Sequence, residues 1–242
     1  MNWEQQAAQL AIQVTEPSSR WRPLVAAVPR HEFVPRWWSA DATGWTQDGP
    51  AMPGHEWSDA VYRDVSLITR IGPLHADQAA KQDRPDGRPT SSSTMPGLVV
   101  SMYRHAMIDD GTDVLDVGTG SGYGAALLAR TGHRPLTTVV DATGPLPGRY
   151  DRIVSMTSVA PIPSSWLAAL RPGGRLVTTL TGTGLIVTAT KPPDGGAAGR
   201  TEWNGPDSCT PAPAPTTLRT CCVRCLVPST ATRAMSRPAA TR

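Results

Sequence analysis

Phenylalanine is nearly missing: Phe33 is the single copy in 242 residues, and aromatic residues make up 5% of the chain. Tryptophan carries the aromatic bulk instead, and Trp3, Trp21, Trp37, Trp38, Trp45 and Trp57 all precede the midpoint of the chain. A hydrophobic content of 39% is low for a globular protein, while 24 Pro and 22 Gly are many, so part of the chain is expected to stay unpacked. Cysteine is confined to the C-terminal end, as Cys209, Cys221, Cys222 and Cys225. Cys222 and Cys225 form a C-x-x-C, but no second pair or nearby His completes a four-ligand zinc site, so no metal is expected. No 18-residue apolar run exists, and the first ten residues lack a basic flank followed by an apolar core. Neither a membrane span nor a signal peptide is expected, and a cytoplasmic location follows.

The net charge of +3 is unevenly spread. From Ser208 onward there are Arg219, Arg224, Arg233, Arg237 and Arg242 and no acid, so the remainder is slightly acidic. That distribution lacks the clustered basic face of a nucleic-acid binder, and no nucleic-acid partner is expected. From about Gly205 the chain loses all periodicity and turns to Pro, Ala, Thr, Arg and Cys, a composition that reads as disordered. The abrupt shift also resembles out-of-frame translation of a GC-rich gene.

What is present centres on Asp113 to Arg130, DVLDVGTGSGYGAALLAR. Val114, Leu115 and Val117 suit a buried parallel strand, and Ala125 to Arg130 suits a helix. Between them Gly118, Gly120 and Gly122 remove side chains that would hold a ligand off the backbone, so that main-chain N–H groups at the start of the helix can meet a polar group. Asp116 stands two residues before the first glycine, where it suits an ammonium or amide better than a pyrophosphate, and no Lys follows to make a Walker-type loop. A purely structural glycine-rich turn is the alternative. Under the ligand reading, a side chain at Gly120 occupies the approach of the ligand.

Upstream, Ala7, Leu10, Ala11 and Val14 recur at helical spacing over Trp3 to Val14, and a second helix spans about Ser18 to Val28. His31 is expected in a solvated loop, with Phe33, Val34, Trp37 and Trp38 as a small apolar plug. Asp41 to Asp59 reads as a connector without period, and Val61 to Ile71 as a strand or hairpin arm. Pro96 opens a helix with Leu98, Val99, Met102 and Ala106 on its apolar face, and the hydroxyl run Ser91 to Thr94 offers capping oxygens. Downstream, strands are expected at Leu136 to Val140 and Tyr150 to Met156, a helix at Pro161 to Leu170, a turn and strand in PGGRLVTTL, and a terminal hairpin ending at Trp203.

The D-x-G-x-G-x-G pattern resembles motif I of the S-adenosylmethionine-dependent methyltransferases. Taken in order, VPRHEFVP, VYRDVSL, a hydroxyl run ending Thr94-Met95-Pro96, and VLDVGTGSGYGAALLA resemble the protein-L-isoaspartate O-methyltransferase family. The Trp-rich insertions and Ser/Thr run look most like the branch associated with ribosomal-peptide clusters, whose members methylate an aspartate of an ATP-grasp-modified (graspetide) peptide.

The resemblance implies an α/β, Rossmann-like class I methyltransferase sheet with an N-terminal helical extension, with S-adenosyl-L-methionine as cofactor. It divides the chain into a helical and loop extension over 1–90, the methyltransferase domain over 91–204 and a disordered tail over 205–242. The acceptor it implies is a peptide or protein Asp or isoAsp side-chain carboxylate, with the chain acting as a monomer. Asp116, Gly118, Thr119, Gly120, Gly122 and Tyr123 are then the cofactor seat. Thr94, with Ser93 and Ser92, stands where the family's key hydroxyl stands and, with the N-terminal end of the helix after Pro96, is expected to orient the acceptor carboxylate. An N-cap run that only starts the helix is the other reading.

One strand and no helix separate Arg130 from Tyr150, where the family has two strands and a helix between them. The missing length is roughly thirty residues, about one strand–helix repeat. Asp141 lies 25 residues after Asp116, which suits the ribose-binding acid ending a second strand. Its context, VVDATGPLPGRYDRI, resembles instead the adenine-side acid ending a third strand, and the resemblance favours that reading. The ribose acid is then absent, at a cost of roughly 1.5–3 kcal/mol, or about ten- to a hundred-fold in cofactor affinity. A methyltransferase acting on a small-molecule acid and a non-catalytic or decayed relative remain open alternatives.

Overall fold

A computed structural model describes residues 2–42, 44–132, 136–138, 146, 148–194 and 196–203. Two sheets result. The first is antiparallel and N-terminal: β1 (Trp37–Asp41) and β2 (Gly44–Asp48) form a hairpin, β3 (Leu67–Ile71) pairs with β1, and β4 (Leu74–His75) and β5 (Pro89–Ser93) both pair with β3. The stretch expected to be helices and loops therefore also builds a sheet. Helices α1 (Trp3–Val14), α2 (Arg22–Ala27), α3 (Arg30–Phe33) and α4 (Glu56–Val61) lie around it in sequence.

The hairpin was hidden because both faces of β1 are covered. Neighbouring strand residues point to opposite sides. Trp37 joins the main core, whereas Trp38 packs with Ile71 and Ala76 in a separate small cluster. A strand buried on both sides shows no polar alternation, and the Trp37-Trp38 pair reads as a plug.

The second sheet runs β11-β10-β9-β8-β6-β7. β6 (Val114–Val117) lies between β7 (Leu136–Thr138) and β8 (Tyr150–Val159), and β9 (Leu170–Leu180) follows β8, all four parallel. β10 (Leu185–Thr190) and β11 (Ala198–Trp203) extend it antiparallel, as the expected terminal hairpin. The parallel pairs require crossovers, supplied by α6 (Tyr123–Arg130) after β6 and α7 (Ser164–Ala169) after β8. α5 (Pro96–Ala106) precedes β6.

Both faces of this sheet are covered, so every residue of β6 is buried. On one face Val114, Val154, Val177 and Ile186 meet α5 through Val99, Met102 and Tyr103, α6 through Leu127 and Leu128, and α1 through Leu10. On the other, Leu115, Val117, Ile153 and Leu176 meet Trp166 of α7, which is fully buried. Alternation along β6 therefore sends Asp116 to the face that carries α5 and α6.

The strand after α6, β7, pairs directly with β6, Leu115 opposite Leu136. It thus occupies the position next to the glycine-loop strand, which belongs to the second strand, although its sequence context resembles a third. Asp141 lies outside the described residues, as does the stretch from residue 204 onward.

Candidate functional site

The site is built at the C-terminal end of β6, where ligands gather in open parallel sheets. Asp116 is 1% exposed, and its Oδ1 has no hydrogen-bond partner among the described residues. Burial pushes its carboxyl up to about 7, with the Thr119 side chain pulling the other way. Thr119 Oγ1 is buried close enough to act on that carboxyl, yet it meets no hydrogen-bond geometry with any partner among the described residues. Buried polar atoms left this way are uncommon, and a pair of them flanking a turn marks a place that wants a polar ligand or water.

Gly118, Gly120 and Gly122 have φ of +73°, +59° and +86°, backbone that side chains rarely adopt. Two of them are packed against the protein itself. A Cβ on Gly118 overlaps the Thr157 hydroxyl, and one on Gly120 comes within 2.5 Å of the Ser92 carbonyl oxygen. The expectation that Gly120 clears the approach of a ligand is corrected here: what it clears is the passage of β5 over the loop. Gly122 caps α6, and Gly124 makes room for the Tyr103 hydroxyl.

The open side of the loop is a narrow cleft with about 10 Å³ of water-accessible space, lined by Thr94, Val99, Asp116, Thr119, Ser121, Tyr123, Gly124 and Met156. Of the residues singled out by sequence, Thr94, Asp116, Thr119 and Tyr123 come together in it. Ser92, Ser93, Gly118, Gly120 and Gly122 support its walls. Val99, Ser121, Gly124 and Met156 were not singled out. Ser121 and Gly124 sit inside the glycine motif, and Met156 follows the end of the β8 ladder with β6, a position that only the strand order reveals.

The hydroxyl run behaves differently from expectation. Ser92 and Ser93 pair with Ile68 and Leu67, so the run is a strand and not a cap. Ser93 is fully buried with its Oγ unpartnered. α5 has no side-chain cap from its N-cap residue Met95; its first turn is held from elsewhere. Gly97 N donates to Asp64 Oδ1 at 2.7 Å, Met95 N donates to Ser66 Oγ at 3.0 Å, and the Leu98 and Val99 amides reach the Met95 carbonyl. Pro96 has no N–H. That helix end is therefore already satisfied, and it does not hold an acceptor carboxylate; of the hydroxyl run, Thr94 is the residue that lines the cleft.

One further side chain was misplaced by sequence, and another was not read at all. His31 sits in α3, half-buried between Trp3, Trp57 and Tyr62, with Nδ1 2.7 Å from the Tyr62 hydroxyl, and takes no part in the cleft. Arg30 is fully buried. No cluster of three His, Cys, Asp or Glu able to hold a metal occurs among the described residues, and no helix among them is long and apolar enough to cross a membrane.

A family model, Protein-L-isoaspartate(D-aspartate) O-methyltransferase (PCMT), matches residues 75–143. The protein-L-isoaspartate O-methyltransferase of Azorhizobium caulinodans is 30% identical over 111 residues, covering 35% of this chain and 51% of that protein. That of Thermococcus onnurineus is 29% identical over 111 residues, covering 34% and 50%. The chain spans about half the length of these curated relatives. Among solved structures, a protein-L-isoaspartate O-methyltransferase superposes with TM-score 0.55 at 18% identity, over 83% of this chain and 63% of that one. A Plasmodium falciparum protein of the same description, in complex with S-adenosyl-L-homocysteine, superposes with TM-score 0.54 at 11% identity, over 84% and 95%. The chain has the α/β fold of these methyltransferases. The family model and these relatives carry one description, protein-L-isoaspartate O-methyltransferase, and the chain is similar to them over part of its length.

Proposed function

We propose that the chain is an S-adenosylmethionine-dependent O-methyltransferase whose acceptor is an Asp or isoAsp side-chain carboxylate of a protein or ribosomal peptide. The observation that carries this reading is the buried Asp116 carboxyl, its Oδ1 unpartnered among the described residues, beside Thr119 and in one cleft with Thr94. An ammonium group is the complement that such a carboxylate lacks, because a cation within about 4–6 Å favours its charged form. The residues therefore fit the amino-acid end of the cofactor. At about 10 Å³ of water-accessible space the cleft is far below the roughly 300–1,000 Å³ of ligand pockets, so most of a bound cofactor lies outside it.

Bound there, adenosylmethionine supplies an electrophilic methyl group. What the chain's own residues do is align and dehydrate. A carboxylate acceptor is already ionised at pH 7, so no general base is needed, in keeping with a cleft wall that contains no His. Thr94 donates its hydroxyl proton to the acceptor carboxylate, and Val99 and Met156 keep water from the same space. In the resulting methyl ester the next backbone amide nitrogen attacks the side-chain carbonyl. The C–O bond breaks, methanol leaves with the amide proton, and a succinimide closes.

The finer reading, a peptide of the graspetide class, rests on the Trp-rich N-terminal sheet. The lost strand–helix unit is supported by the alignment: its 111 positions with Azorhizobium caulinodans use only 35% of a 242-residue chain, fewer residues than positions, so it opens gaps in this chain. Cytoplasmic location and a monomeric state belong to the same proposal.

The test is calorimetric titration with adenosylmethionine and adenosylhomocysteine, then base-labile methanol release from an isoAsp peptide and from a cyclised precursor peptide. No heat at high micromolar cofactor overturns the enzyme reading, and methanol from one peptide alone selects the acceptor. Thr94→Ala should lower transfer at least ten-fold with cofactor affinity intact; equal loss of both would place Thr94 outside acceptor binding.

A further inference from the structure

Arg30 is the largest buried charged side chain among the described residues, and no described carboxylate lies within ion-pair distance of it. Burial lowers its guanidinium to about 10, which still leaves it charged at neutral pH. Its charge is met by main-chain dipoles. Nη1 donates to the carbonyls of Val61 and Arg63 at 2.7 and 2.8 Å, and Nη2 donates to that of Val65 at 2.9 Å. The same Nη2 reaches the carbonyls of Ser93 and Thr94 at 3.5 and 3.4 Å. The Cζ atom sits 5.7 Å from the centre of the Tyr123 ring. A planar fork is suited to this, since its donors diverge in fixed directions while its face rests on an aromatic ring.

These contacts join three pieces of the cleft. Residues 61–65 carry Asp64, which holds the start of α5. Ser93 and Thr94 carry the cleft hydroxyl, and Tyr123 opens α6 immediately after the glycine loop. Thr94 follows β5 and makes no ladder contact with β3. We infer that Arg30 is a positioning residue that sets the Thr94 hydroxyl against the glycine loop, holding the backbone of residues 93–94 on one side and the Tyr123 ring on the other. Its bearing on methyl transfer rests on the proposed function; its hold on Thr94 does not.

Arg30→Lys keeps the charge but offers a single point from which diverging carbonyls cannot all be met. The variant is expected to exchange amide hydrogens faster in a peptide spanning 91–98, with the hairpin 185–203 unchanged. Its kcat on the acceptor peptide should fall ten- to a hundred-fold, the cost of a misplacement of about 1 Å, while the adenosylhomocysteine Kd stays within three-fold. Unchanged exchange at 91–98 overturns the inference, as does faster exchange spread evenly over the chain, which would make Arg30 a general staple. Wild-type protein that methylates neither peptide sinks the proposed function, and the exchange comparison still decides the hold on Thr94. If Arg30→Lys does not fold, nuclear magnetic resonance of the wild-type side chain decides instead. A clamped guanidinium gives resolved Nη signals from hindered rotation, and a single averaged signal overturns the clamp.

Discussion

Replacing Asp116 by Asn should change how stability depends on pH more than it changes stability itself. In the folded chain the carboxyl keeps its proton up to about pH 7, because burial in the β6, α5 and α6 core opposes its charge; unfolded, it releases the proton near its ordinary value of 3.8. Between those two values the folded state binds more protons than the unfolded state, so the contribution of Asp116 to stability falls as pH rises. A separation of this size corresponds to about 4 kcal/mol, comparable with a large part of the net stability of a domain. Asparagine cannot ionise. Ligand-free wild-type protein should therefore lose up to about 4 kcal/mol more than Asp116→Asn between pH 4 and pH 7.5, measured by urea unfolding. Asp151, held below the ordinary value despite its burial by the Asp113 backbone and Arg171, and His105, lowered by burial, slope the other way. Both are present in the two proteins and cancel in the comparison. An offset at pH 4 absorbs the cost of the new amide, so the slope is the readout. Parallel pH profiles would refute the reasoning, since they mean that Asp116 is already ionised or already paired.

Gly120→Val should cost on the order of 3 kcal/mol without any ligand present, because a β-branched residue is forced to positive φ against the Ser92 carbonyl; a melting temperature equal to that of wild type would restore the reading of an open loop. Asp64→Ala should cost about 1–2 kcal/mol through loss of the Gly97 bond at the start of α5. Asp64→Asn, which keeps an acceptor oxygen there, should lose less, and urea titration of the pair separates hydrogen bond from charge.

Where local pattern and tertiary burial agree, the elements were legible. α1 spans Trp3–Val14 as its periodicity requires, Pro96 opens α5, and β6, the glycine loop and α6 follow in the expected order. Legibility failed where a residue type serves two roles. Serines 91 to 93 suit a cap or a strand equally, and only pairing with β3, whose Leu67 lies 26 positions before Ser93, selects the strand. Arg30 beside His31 and Glu32 looks like surface, because a sequence does not display the backbone carbonyls that make a buried charge tolerable. In the site, Asp116 and Thr119 were readable from the motif, whereas Met156 enters through the order of strands, which no local pattern contains.

β7 is the outermost strand of its sheet among the described residues, and its ladder with β6 is three residues long. Every other strand of the parallel core is flanked on both sides, so its removal would break two ladders at once. A gene can therefore gain or lose sequence at the β7 margin while the interior hydrogen bonds stay as they are. Tolerance to insertion and deletion is thus graded across the sheet, least in β6, β8 and β9 and greatest at its two margins, β7 and β11.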